Sequence, residues 1–365
     1  MTLEPLLRLH IEQGQSAWLD NLRRDDIVSG RLRQQISSGI RGQTSNPTIF
    51  QKAIQDSSEY DVQIRSLLDD SLSTEEIYWT LVCADIQQAL GLFRPVYEDS
   101  SGSDGYVSVE IDPHLARDSQ GTYDAAWALW KRIDRPNVMI KIPATAQSLP
   151  AIRAMVASGA NVNVTLIFSL ERYKDVMLAY IGGLADRLDQ GYPIDSIAGV
   201  ASFFISRVDT EIDKRLESIG TTDALALRGR AAVSQARLAY SMFREVFSGE
   251  AWSFLQRHGA RLQRPLWAST STKNPAYSDT LYVDELIGPD TVNTLPESTI
   301  VAFSEHGSIA RSIDRNVEEC RQIWEALSQV GVDVLDVARV LEAEGLKSFQ
   351  TSFDDLMATL SRKSV

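Results

Sequence analysis

The sequence predicts an α/β fold: a (β/α)₈ TIM barrel with additional helices, in a single domain over residues 1–365. Three observations predict it. Eight short apolar runs of strand character alternate with helical segments, and such alternation implies parallel strands joined by crossover helices. An open doubly wound sheet would carry a Gly-rich phosphate loop after its first strand, and neither G-x-G-x-x-G nor a Walker-type loop is present. Finally, every strand-like run brings a polar residue to its end, where barrels carry their chemistry.

In order, residues 3–13 read as a short helix, and Ser16–Asp20 as the first strand, ending on a carboxylate. A basic helical stretch over 23–38 leads to a strand over 39–45, and Asn46-Pro47 marks a turn. Residues 57–97 are mostly helical, with the capping-box pattern Ser73-Thr74-Glu75-Glu76 opening the second half. The polar loop 100–105 feeds a strand over 106–112, followed by a helix over 122–133 and the strand Val138–Pro143. A helix over 149–158 precedes the strand 162–168, after which Ser169 caps another helix. Strands over 199–205, 264–270 and 291–296 complete the set. A long helix covers 224–247, with Gly249 at the position following its end, and helices cover 308–330 and 334 to the C-terminus.

Composition narrows the function. Of the residues, 44% are hydrophobic and 23% charged, as in ordinary globular proteins. A formal net charge of -13 argues against nucleic acid or an anionic membrane as partner, while leaving room for a local basic pocket. Cys83 and Cys320 lie far apart, and the four histidines are scattered, so neither a disulfide framework nor metal-ligand spacing is seen. The N-terminus lacks a signal-peptide pattern, and no apolar run approaches the roughly 20 residues of a membrane helix. The expectation is a cytoplasmic protein without cofactor, as a monomer or homodimer.

The chemistry centres on Val138-Met139-Ile140-Lys141-Ile142-Pro143. Burying an ammonium is costly, and a lysine driven towards its neutral form is a nucleophile for a ketone. Alone, Lys141 reads more readily as a lysine that reaches solvent or pairs with a carboxylate than as a nucleophile. Its company favours chemistry: Asp20, Asn46, Glu110 with Asp112, Asn163 with Thr165, Ser202, Ser269 and Asn293 all stand at strand ends. Glu110 and Asp20 are the available carboxylates for proton transfer, and Thr165 could hold a water. Arg207, on the turn after the sixth strand, and Lys273, after the seventh, suit an anionic substrate.

Several stretches, in order along the chain, resemble transaldolases: Thr44-Ser45-Asn46-Pro47-Thr48, Ser108-Val109-Glu110-Ile111-Asp112, Ile140-Lys141-Ile142-Pro143-Ala144-Thr145, Asn163-Val164-Thr165-Leu166-Ile167-Phe168-Ser169 and Ser202-Phe203-Phe204-Ile205-Ser206-Arg207. The chain most resembles the longer bacterial type, sometimes fused to glucose-6-phosphate isomerase, and no isomerase domain is expected within its 365 residues. The resemblance implies a metal-free, class I aldolase-like mechanism on sugar phosphates. It implies that Lys141 forms the Schiff base and that Asp20 is the general base of carbon–carbon cleavage. Glu110 would act through a water held with Thr165. Asn46 and Asn163 would bind the dihydroxyacetone unit, with Ser202 nearby, and Arg207 and Ser269 the phosphate. Shorter transaldolases carry an arginine where this sequence has Ser271, and Lys273 is expected to replace it. The related fructose-6-phosphate aldolases tend to hold the water with a tyrosine and lack the glutamate. Glu110, and Phe204 in place of a tyrosine, favour transfer over release.

Overall fold

The computed structural model describes residues 4–70 and 72–363; Leu3 and the last two residues, included in the predicted terminal helices, lie outside them. Eight strands form a closed barrel: β1 Gln15–Asp20, β2 Gly42–Thr44, β3 Tyr106–Glu110, β4 Val138–Pro143, β5 Val162–Ile167, β6 Gly199–Phe204, β7 Gln263–Ala268 and β8 Thr291–Leu295. Each pairs parallel with the next, and β8 closes onto β1 through Gln15–Thr291 to Leu19–Leu295. Because all strands run the same way, their C-terminal ends share one face, as the strand-end polar residues require.

Alternation along each strand sends one set of side chains into the barrel and the other against the helices. On the outer face Phe203 packs edge-on against Tyr173, with ring centroids 5.7 Å apart. The N-terminal end is closed by Asp104, just before β3. Its buried carboxylate accepts from Ser16 Oγ (2.7 Å), Trp18 Nε1 (3.2 Å), Arg41 Nε (2.7 Å) and Arg264 Nη1 (3.1 Å). The polar loop 100–105 thus supplies the knot that ties β1, the entry to β2, and β7 together.

The helices differ from expectation in ways local chemistry explains. The basic stretch divides into Arg24–Val28 and Arg31–Ser37, because Gly30 takes a φ of 80° that a right-handed helix cannot continue through. The segment 57–97 is two helices, Asp61–Asp69 and Thr74–Asp99, and the capping box at Ser73 starts the second. Asn46-Pro47 starts a helix, Pro47–Asp56, instead of marking only a turn: Asn46 Oδ1 accepts from Ile49 N–H at 3.0 Å and proline occupies the first helical position. The 224–247 segment resolves into Thr222–Leu225 and Ala231–Val246. Gly249, expected just past a helix end, is instead extended (φ -69°) and precedes the helix Glu250–Arg257. Only Val317–Gln329 of the 308–330 stretch is regular helix. Arg207 lies in the first turn of the helix Ser206–Ile219, not on a free turn. Among the described residues no helix is long and apolar enough to cross a membrane.

Candidate active site

At the C-terminal mouth of the barrel a cavity of about 220 Å³ is lined by Asp20, Asn46, Lys141, Thr165, Ser202, Phe204, Arg207, Ser269 and Lys273, among others. Larger cavities exist, one of 280 Å³ around Asp104 at the opposite end and one of 500 Å³ beside the first helix. Size does not select the site; the convergence of a buried lysine, the Asp20 carboxylate and an arginine without an ion pair among the described residues does.

Lys141 projects from β4 into the mouth and is 5% exposed. Its ammonium donates to the Ser45 carbonyl at 3.1 Å and stands 3.3 Å from Glu110 Oε2. That is ion-pair distance without hydrogen-bond alignment, so both Glu110 oxygens stay without a hydrogen-bond donor among the described residues. Burial pushes the Glu110 carboxyl up to about 7 against the opposing charge of Lys141. Glu110 does not line the cavity itself; it sits behind Lys141 as its partner on the neighbouring strand. Thr165, two residues beyond Asn163 on β5, has a fully buried hydroxyl, also without a partner among the described residues.

Asp20 terminates β1 and accepts from Thr44 Oγ1 at 3.0 Å, and Thr44 in turn meets the Thr294 hydroxyl at 2.8 Å. Burial raises the Asp20 carboxyl above its ordinary value; Lys141, the Thr44 hydrogen bond, Lys273 and Arg207 oppose the rise. Asn163 is wholly buried beneath the cavity. Its amide donates to Ser108 Oγ at 2.9 Å and its oxygen accepts from Ser202 Oγ at 2.7 Å, which joins β3, β5 and β6 under the lysine. Asn46 spends its side-chain oxygen on the cap of Pro47–Asp56, so its Nδ2 is the donor it can offer a ligand.

The far side of the cavity is cationic. Among the described residues the Arg207 guanidinium has no ion-pair partner within 4 Å; it lies 5.5 Å from the centroid of the Phe204 ring. Burial lowers its pKa somewhat, while Glu344 and Asp20 act the other way. Ser269 follows β7 with a φ of 55°, and its hydroxyl is 2.9 Å from Ser206 Oγ at the start of the arginine's helix. Lys273 is exposed at the rim and donates to Ser271 Oγ at 2.6 Å. Leu166, beside Thr165, also has positive φ (59°), where the register of β5 against β6 shifts. Two non-glycine residues in this sparsely allowed region flank the mouth.

With this geometry, the comparisons identify the lineage. The family model for transaldolase/fructose-6-phosphate aldolase matches residues 17–360. The chain belongs to that family. It is similar to the transaldolase of Saccharopolyspora erythraea, 48% identical over 99% of this chain and 98% of the relative. Similar proteins of the same name occur in Mycolicibacterium smegmatis (47% identical, 98% and 97% covered) and Thermobifida fusca (48%, 98% and 98%).

Within this transaldolase-family barrel two strand-end residues have other tasks than the mouth. Asn293 points outward and donates to the Tyr282 carbonyl at 3.1 Å, and Thr294 faces the cavity in its place. Asp112 accepts from His114 N–H at 2.9 Å and caps the 3₁₀ turn Pro113–Arg117. Thr44, Thr270, Ser271 and Thr294 line the cavity without having been singled out for it, and Phe349 lines it from the C-terminal segment 346–349, whose sequence position leaves open that it covers the pocket. Strand alternation could have found Thr294, but β8 carries polar residues on both faces, so polarity did not reveal which face is inside.

Proposed function

We propose that this chain is a transaldolase that passes a dihydroxyacetone unit from sedoheptulose 7-phosphate to glyceraldehyde 3-phosphate, through a Schiff base on Lys141. Erythrose 4-phosphate and fructose 6-phosphate are the products, which makes it an enzyme of the non-oxidative pentose phosphate pathway. The observation that carries the assignment is the buried Lys141–Glu110 pair, 3.3 Å apart, at a mouth that also holds Asp20.

The neutral amine of Lys141 attacks the ketone, and the carbinolamine loses water to give the imine. A carboxyl held near neutrality can both give and take the protons of these steps. Glu110 fits that task, with Thr165 orienting the water, since their buried oxygens are otherwise unmatched. Asp20 takes the hydroxyl proton as the carbon–carbon bond breaks, leaving an enamine on the lysine. Asn46 donates to the bound unit, and Asn163 and Ser202 form the bonded layer on which it rests. Arg207 lies in the first turn of Ser206–Ile219, where backbone N–H groups and the helix dipole also favour an anion. With Ser269 it binds the phosphate. Lys273, folded back onto Ser271, supplies a second cation. The enzyme works in the cytoplasm as a monomer or homodimer, states that sedimentation distinguishes.

The test is borohydride reduction with fructose 6-phosphate, followed by peptide mass spectrometry. One adduct at Lys141, absent in Lys141→Ala together with turnover, is the expected result. An adduct at another residue, or turnover by the alanine variant, would overturn the assignment.

A further inference from the structure

The C-terminal helix, Val334–Lys363, is longer than any other and crosses the mouth of the barrel. Its attachments run from one side to the other. Asp336 pairs with Arg215 at 2.8 Å, Ser352 meets the Thr48 hydroxyl at 2.7 Å, and Asp354 lies 3.3 Å from His114. At Gly345 the helix comes so close that a Cβ would meet Leu166 Cδ2 at 3.0 Å. Between these anchors Phe349 points down into the cavity. It is 4% exposed, and its ring centroid is 5.8 Å from Lys141 Nζ.

The lysine nitrogen therefore has two unlike sides. The Ser45 carbonyl and Glu110 approach it from within the barrel, and the apolar ring covers it from the helix. The two sides matter once the enamine exists, a step that rests on the Schiff-base reading above. The enamine carbon can attack the aldehyde of the acceptor, forming a carbon–carbon bond as the aldehyde oxygen takes a proton. Alternatively that carbon takes a proton, water adds to the resulting iminium, and the carbinolamine collapses. The carbon–nitrogen bond then breaks, the lysine recovers its amine, and free dihydroxyacetone leaves. Transfer likewise leaves an iminium, of the product ketose, on Lys141, so both routes end by adding one water and breaking the carbon–nitrogen bond; only release needs a proton delivered to the enamine carbon, so solvent access to the enamine favours release over transfer.

We propose that Phe349 is a specificity-determining residue: by covering the Lys141 adduct from the solvent side, it holds the enamine for the acceptor and suppresses release of free dihydroxyacetone. A residue that merely packed the helix onto the barrel would, when truncated, depress transfer and release together. A shield, when truncated, changes their ratio.

The experiment measures free dihydroxyacetone from fructose 6-phosphate without acceptor, and transfer with erythrose 4-phosphate as acceptor, in wild type, Phe349→Ala and Phe349→Leu. Borohydride labelling of Lys141 is followed in each. The release-to-transfer ratio is expected to rise about tenfold in Phe349→Ala and roughly threefold in Phe349→Leu, which retains more apolar cover, with labelling preserved. The leucine variant decides alone if the alanine variant does not fold. An unchanged ratio with Lys141 still labelled overturns the shield and leaves the Schiff base standing. Loss of labelling in the wild type itself overturns the Schiff base, and the shield with it.

Discussion

Lys141 and Glu110 are direct register partners on adjacent parallel strands, and their charged atoms meet at 3.3 Å inside the barrel. Neighbouring strands in a parallel barrel present paired residues to the same face, so a lysine on β4 and a glutamate on β3 form a unit without any loop to hold them. The Glu110 carboxyl stands near 7 instead of 4.5 because burial disfavours its charged form, against the opposing charge of Lys141.

A pH dependence follows. If Glu110 takes protons during imine formation, kcat/KM falls as pH drops through about 7, because the carboxyl protonates there. In Glu110→Gln that acidic limb should disappear and the plateau should fall by roughly 10²-fold. Measuring kcat/KM from pH 5 to 9 in both proteins checks this, and an unchanged limb removes Glu110 from the chemistry.

The proposed mechanism gives Asp20 a different step. Replacing it with asparagine should leave the borohydride adduct at Lys141 intact while lowering transfer by about 10²- to 10⁴-fold, the range of a lost general base. Loss of the adduct together with transfer would instead assign Asp20 to imine formation.

The two cations that line the cavity are unequal. Arg207 is partly buried and free of ion pairs among the described residues, whereas Lys273 is exposed and already bonded to Ser271. Arg207→Ala should reduce kcat/KM for phosphorylated substrates by roughly 10- to 100-fold, mainly through KM, as charge-assisted hydrogen bonds are lost. Lys273→Ala should cost roughly threefold, because an exposed lysine is screened by solvent. Equal losses would show that the lysine has fully assumed a buried cation's role.

At the opposite end Asp104 governs stability. Burial acts to raise its carboxyl, yet Arg264 and Arg41, with hydrogen bonds from Arg41 and Ser16, hold it below the ordinary 3.8. A depressed value means the stabilisation is fully present above the unfolded-state pKa and is lost as pH falls through the lower folded value. Asp104→Asn should cost about 3–5 kcal/mol at pH 7 by leaving two arginines without their carboxylate. Urea denaturation at pH 7 and at pH 3 checks it: the gap between variant and wild type should narrow in acid.

Much of the molecule was legible along the chain. The eight strands, their order and the residues at their ends follow from apolar runs, turn residues and alternation, and these are short-range properties. The start of the helix Thr74–Asp99 was legible in the capping box at Ser73, a local hydrogen-bonding pattern, while the end of Asp61–Asp69 carries no comparable signal. The helix Ser206–Ile219 went unread because it begins immediately after β6, with no intervening loop to announce it.

By itself, the sequence determined a lysine in a buried strand, carboxylates on neighbouring strands and a barrel that brings strand ends together. Only the tertiary structure decided which polar side chains face the mouth. Thr294 looks in and Asn293 out because the closure of β8 onto β1 sets the phase of alternation, and both residues are equally polar in the sequence. Asn163 became a bonded layer beneath the site because Ser108 and Ser202 arrive from other strands to take up its amide. Phe349 came to cover Lys141 across 208 residues of chain because the last helix is laid over the open end of a barrel whose floor is already closed by Asp104. Local patterns build the strands; which groups meet at the open end depends on closing the ring.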